Sequence, residues 1–208
     1  MTASAQASRG TRTRSALIAA GFELMAERPI DAIPIDDIVA AARVAKGSFF
    51  NHFADKKGFA DAAASEVRLD IEARVAAANR TVSDPLERLT GGLVVALDYA
   101  LTEPKRSAVL LRGAGGAASQ DHPLNRGVLA DLDACLAAGL IRAEAARAGV
   151  LFWLGTCQML MTNAVETVPS RTEATTRMAD VLTMALAGLG VNAARIPALI
   201  ETAKAKLG

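Results

Sequence analysis

Residues 35–57 read IDDIVAAARVAKGSFFNHFADKK. Two short helical patterns flank a tight turn. Ile38, Val39 and Ala42 give the first one apolar side, from Ile35 to about Ala42. Val44 packs under the turn. The second pattern runs from Lys46 to about His52. Phe50 and Phe53 are three residues apart, so they share a side and anchor that helix inward. Lys46, Ser48, Phe49, Asn51 and His52 are left to face outward. This is the pattern of a helix-turn-helix whose second helix enters the major groove of DNA.

The outward residues have the chemistry for that task. Lysine and asparagine read base edges, serine and histidine hold phosphates or bases, and an exposed aromatic touches a thymine methyl. Gly47 permits close backbone approach at the helix N-terminus, where the dipole favours phosphate. Lys56 and Lys57, at the start of the next helix, are placed to clamp the DNA backbone. Such contacts set register without carrying sequence information. Arg12 and its neighbours Arg9 and Arg14 suit an arm reaching the backbone or minor groove.

Outside this stretch the chain is alanine and leucine at helical spacing. Its 208 residues are 51% hydrophobic but only 4% aromatic. Alanine is the best helix former, so an all-α fold is expected. Net charge is +1, which excludes a polyanion binder acting by bulk charge. Residues 1–60 hold eight bases against six acids, and their clustering around the aromatic helix is more telling than the balance. Cys135 and Cys157 are far apart and form no C-x-x-C, which argues against a zinc site or disulfide framework and for reduced thiols in a cytoplasm. The N-terminus lacks the apolar core of a signal peptide. No stretch reaches about 18 uncharged apolar residues. The nearest, Ala148 to Val165, reads as a buried helix, and no membrane partner is expected.

Helical periodicity and punctuation divide the rest. Residues 1–12 read as a disordered basic arm. A first helix spans about Thr13 to Glu27, ended by Arg28-Pro29. A fourth spans about Asp55 to Asn79, with Phe59, Ala63, Val67 and Ile71 recurring every four residues. Asp84-Pro85-Leu86-Glu87 opens a fifth, with Asp84 as cap, Pro85 in the first position and Glu87 able to reach back. Further helices are expected at about 105–112, 121–138, 144–166 and 171–189, with a last one after Asn192. Gly139 and Gly190 are stops. Gly113 to Gly116 reads as a helix break rather than a phosphate loop, since no Lys-Ser/Thr follows. The domains expected are a helix-turn-helix domain over 13–58 and a helical domain over 59–208.

Residues 12–60 resemble the tetracycline-repressor (TetR) family of bacterial transcription regulators. The likeness rests on Ala19-Ala20-Gly21-Phe22, on Asp36-Asp37-Ile38, and on Lys46-Gly47-Ser48-Phe49-Phe50-Asn51-His52-Phe53 followed by Asp55-Lys56. Beyond residue 60 only length and helix order agree. Three places depart from the family pattern. Arg43 stands where the family usually has glycine in the turn. Pro34 and Ala45 stand where serine or threonine often caps the second and third helices. Phe50 stands where a tyrosine hydroxyl commonly reaches a phosphate.

The resemblance implies a dimeric, ligand-responsive DNA-binding repressor. Arg43 joins the expected DNA contacts as a phosphate ligand. The helices at 144–166 and 171–189 would pair with their copies, through Leu151, Leu154, Met178, Leu182 and Ala185, and the dimer would bind a near-palindromic operator. Leu93, Leu97, Tyr99, Leu110, Trp153, Cys157 and Met161, with Leu160, suit an adaptable pocket for a small, mainly apolar effector. Arg112 and Asn163 are available as polar anchors. No nucleophile–base pair, paired carboxylates or metal-ligand set suggests catalysis, and no cofactor or metal is expected. The competing reading is an all-helical enzyme or small-molecule carrier with a non-functional helix-turn-helix.

Overall fold

The computed structural model describes residues 3–113 and 125–208, and ten α-helices with one 3-10 turn lie among them. No strand occurs among the described residues. The expected helix start at Asp121-His122-Pro123, and most of the Gly113–Gly116 break, lie outside them.

The chain divides into two compact units. The first comprises Met1–Val67 with Lys105–Gly115. It holds α1 (Ala3–Glu27), α2 (Ile35–Ala41), α3 (Lys46–Phe50), the first half of α4 (Lys56–Ala78), and most of α6 (Pro104–Arg112). The second comprises Arg68–Pro104 with Gly116–Gly208. It holds the rest of α4, then α5 (Pro85–Thr102), α7 (Arg126–Ala137), α8 (Ala145–Thr167), α9 (Arg171–Gly188) and α10 (Ile196–Leu207). The expected division near residue 58 therefore falls inside the first unit, which runs to Val67 and takes in residues from beyond α5.

The first unit is built on three apolar stripes. Leu17, Ile18, Phe22 and Met25 of α1 are buried, as are Ile38 and Val39 of α2 and Phe59, Ala63 and Val67 of α4. Gly21 is required by packing: a Cβ there would lie 2.4 Å from the Phe59 ring. Arg112 donates to the Met25 and Ala26 carbonyls, both at 2.6 Å, and so caps the end of α1. The residue expected as a polar ligand anchor is thus engaged with the end of α1. Residues 3–12, expected as a disordered arm, continue α1 as helix. Ala3, Ala5 and Ala7 favour helix, no proline interrupts the stretch, and Gly10 is carried within the helix.

In the second unit α5 packs against α7, α8, α9 and α10. Leu89, Leu93, Leu97 and Ala100 form its buried stripe. Asp84 caps α5, accepting from the Leu86 amide at 2.9 Å, with Pro85 opening the helix. Ser170 and Glu173 form a capping box at the start of α9, and these hydrogen bonds hold the Glu173 carboxyl below its ordinary range. Gly139 and Gly190, at φ +65 and +82, end α7 and α9 in paired 6→1 and 5→2 hydrogen bonds.

Candidate nucleic-acid interface

The turn between α2 and α3 has the same closure as those two glycine stops. The Val44 amide donates to the Val39 carbonyl at 3.0 Å and the Arg43 amide to the Ala40 carbonyl at 3.1 Å. This is a Schellman motif whose left-handed position holds Arg43, at φ 55. A side chain there costs on the order of 1 kcal/mol. Neither flanking helix recovers that locally: Pro34 and Ala45 stand at the N-caps and supply no side-chain hydrogen bond.

α3 is held from below by aromatic packing. Phe49 is fully buried and Phe53 nearly so. Their ring centroids lie 5.5 Å apart, and the Phe59 ring sits 5.4 Å from Phe49 and 5.0 Å from Phe53. The Arg14 guanidinium lies 5.6 Å from the Phe53 ring centre and pairs with Glu66 at 2.5 Å. This corrects the expected register. Phe49, expected outward, is the inward anchor; Phe50, expected inward, is 53% exposed. The physical reason is spacing: the Phe53 amide bonds the Phe49 carbonyl, so the four-residue pair 49/53 shares the inner side rather than the three-residue pair 50/53.

The outer side of α3 now reads Lys46, Gly47, Phe50 and Asn51, all exposed, with Ser48 and His52 half-buried. Lys46 pairs with Asp36 at 2.9 Å, with both side chains more than half exposed. An exposed pair of this kind contributes little and exchanges readily for a phosphate. A Cβ at Gly47 would meet nothing within 4 Å, so no internal packing demands glycine there. Arg43 and Arg12 are exposed. Lys57 is exposed and pairs with Asp61 one turn on, at 2.6 Å. Lys56 differs: its ammonium donates to the Asp31 and Ile33 carbonyls at 2.8 and 3.1 Å. It braces the 3-10 turn before α2, a role the sequence did not reveal.

The expected effector residues fall less evenly. Leu93, Leu97, Tyr99, Trp153 and Met161 are buried in the second unit, on α5 and α8, which pack together. Cys157 is half-buried beside them on α8, and desolvation pushes its thiol up to about 12. Leu110 belongs to the first unit. The Tyr99 hydroxyl donates to Asp70 at 3.1 Å. Asn163, expected as an anchor, accepts instead from Arg177. A polar group went unforeseen: Arg68 donates to Glu72 at 3.0 Å and to the buried Asn125 at 2.9 Å. Burial raises the Glu72 carboxyl, opposed by Arg68.

The expected pairing surface is corrected in part: Leu151 is exposed and Leu154 half-buried, as a pairing side requires. Met178, Leu182 and Ala185 are buried within the protomer. The bare apolar side of the two helices is Leu151, Phe152, Met159 and Met184. Leu151, Phe152, Gly155, Met159 and Val181 line an open groove of about 590 Å³, with Asn163 and Arg177 among its polar residues. α8 is thus not the buried helix expected: among the described residues it alone is long and apolar enough to cross a membrane, and only 33% of that window is buried.

Residues 17–63 match the family model for bacterial regulatory proteins of the tetR family. Over those residues the chain is similar to the N-terminal domain of that family. Over 77 residues it is 36% identical to the HTH-type transcriptional repressor DhaR of Mycobacterium sp. (strain GP1), covering 37% of this chain and 35% of that one. The match thus spans about a third of the curated relative. Solved structures share the fold over most of the length. A tetR-family transcription regulator from Shewanella sp. PV-4 superposes with TM-score 0.71 at 15% identity, covering 85% of this chain and 97% of that one. A gamma-butyrolactone receptor (ArpA-like protein) gives 0.64 at 19%, covering 96% and 97%. RolR, solved with resorcinol, gives 0.61 at 21%, covering 93% and 95%. The fold shared with these structures therefore extends through the second unit, while the family-model match lies in the first.

Proposed function

We propose that this chain is a dimeric, ligand-responsive DNA-binding regulator of transcription, a repressor released from its operator by a small, mainly apolar molecule. The observation that carries the reading is the outer side of α3. A lysine, a bare glycine with no internal reason to be glycine, an exposed phenylalanine and an asparagine stand together beside a strained arginine. Beyond an exposed Lys46–Asp36 pair and the contact of Phe50 with Phe49 these features add little to the domain, and each suits a major groove flanked by phosphates. The names of the relatives support the same role: one is a repressor, and one was solved with a small phenol. A DNA partner would place its work in the cytoplasm.

The effector site in this reading lies in the second unit, among Leu93, Leu97, Trp153 and Met161, with Arg68 and Glu72 as charged groups that act on Cys157. α4 contributes residues to both units, so a ligand favouring one setting of its second half biases the first half too. Only a ligand that binds the DNA-incompetent state better shifts the population, and coupling of about 1–3 kcal/mol is typical. The groove along α8 and α9 receives a second copy of the chain, and two copies read two half-sites.

The test is binding of the purified chain to the DNA flanking its own gene, followed across a salt series. The expected result is binding whose affinity falls steeply with salt, with a log–log slope of about −0.9 per phosphate contacted. Lys46→Ala and Asn51→Ala weaken it strongly while the melting temperature stays within a few degrees. Absence of salt-dependent binding to any duplex overturns the reading.

A further inference from the structure

We infer that Phe50 is a specificity-determining residue that reads a thymine methyl group in each half-site; this rests on the DNA-binding reading above. Phe50 is one of the few large apolar side chains left exposed among the described residues, at 53%. It is not loosely held. Its ring makes a T-shaped contact with the buried Phe49, centroids 5.5 Å apart and planes at 80°, so part of the ring is packed while half of the residue stays exposed. It follows Lys46 by one helical turn and therefore shares its side of α3, with Asn51 next to it and nothing within 4 Å of a Cβ at Gly47. An aromatic ring projecting from an otherwise polar side gains nothing in water.

The ring's chemistry narrows its partner. It has no hydroxyl, so it cannot bond a phosphate, and it offers no donor or acceptor to a base edge. In the major groove one feature is apolar, the C5-methyl of thymine, and phenylalanine is among the side chains that complement it. Lys46 and Asn51 can supply hydrogen bonds to neighbouring bases, while Phe50 distinguishes thymine from the other three by apolar contact.

The experiment removes only that methyl. Duplexes that bind the full-length chain are selected from a random pool. Each thymine of the bound half-site is then replaced singly by deoxyuridine, which keeps base pairing and hydrogen-bonding groups. The expected result is one thymine per half-site whose replacement weakens binding about fourfold, the equivalent of one lost buried methyl. F50A binds the thymine duplex more weakly by a similar factor and no longer distinguishes the two duplexes; F50L keeps part of the distinction. Thermal melting of F50A near that of the native chain shows that folding is not the cause. Indifference of the native chain to every replacement, or unchanged methyl sensitivity in F50A, overturns the inference while leaving DNA binding intact. Failure to select any duplex sinks the DNA-binding reading and this inference with it.

Discussion

Arg43 holds the one left-handed position between the helices of the helix-turn-helix, in the same hydrogen-bond closure that Gly139 and Gly190 complete without a side chain. Three equivalent turns with two glycines and one arginine point to a benefit from the arginine outside the domain. R43G is expected to stabilise the isolated protein by about 0.5–1 kcal/mol, since relief of left-handed strain exceeds the added chain entropy. The same variant binds DNA more weakly, with a salt slope shallower by about 0.9 for each half-site. Denaturant unfolding alongside a salt titration reads both quantities. Equal affinity and slope in R43G would leave Arg43 without a phosphate role. The departure at residue 43 was legible in sequence because a turn that closes a helix prefers glycine. The aromatic register was not: Phe49, Phe50 and Phe53 offer both a three- and a four-residue pair, and the helical bond from Phe53 to Phe49 together with the Phe59 ring of α4 selects 49/53.

At the scale of elements, the ends of helices were read more reliably than their sides. Asp84-Pro85, Gly139 and Gly190 act where their chemistry placed them, because capping and left-handed closure are local. Which side of α8 faces inward depends on α5, α7 and α9, and alanine-rich stripes do not distinguish a protomer's core from a surface left for a partner. The link from α8 to α9 carries a second strained position. Val168 ends α8 at φ 45 and ψ 56 and is 81% exposed. A β-branched residue is poorly suited to that region, and its exposure leaves little burial to compensate. V168G and V168N are therefore expected to raise stability by about 1 kcal/mol, seen as a melting temperature higher by a few degrees. Destabilisation by both substitutions would mean that the valine side chain makes a contact outweighing the strain, such as one with a partner copy.

For the whole molecule, the deciding quantity is what covers α8 and α9. Leu151, Phe152, Met159 and Met184 are 42–76% exposed, a grouping that a soluble monomer seldom leaves bare. Gly155 stands among them in mid-helix, where glycine costs on the order of 1 kcal/mol relative to alanine, and a Cβ there would meet nothing within 4 Å. As at Gly47, the missing side chain has no explanation inside the protomer and leaves room for something outside it. If that is a second copy, the native chain sediments at twice its 21.6 kDa mass. G155W then fills the gap with an indole: it folds, because the space is open, but sediments as a monomer. Its affinity for a two-half-site duplex falls on the order of a hundredfold, because the second recognition helix no longer benefits from the high local concentration that pairing confers. G155A, which gains helix propensity and adds one methyl, remains a dimer and melts slightly higher. A native chain that sediments as a monomer at micromolar concentration, or a G155W that stays dimeric with native DNA affinity, would move the interface off α8 and leave the apolar groove unexplained.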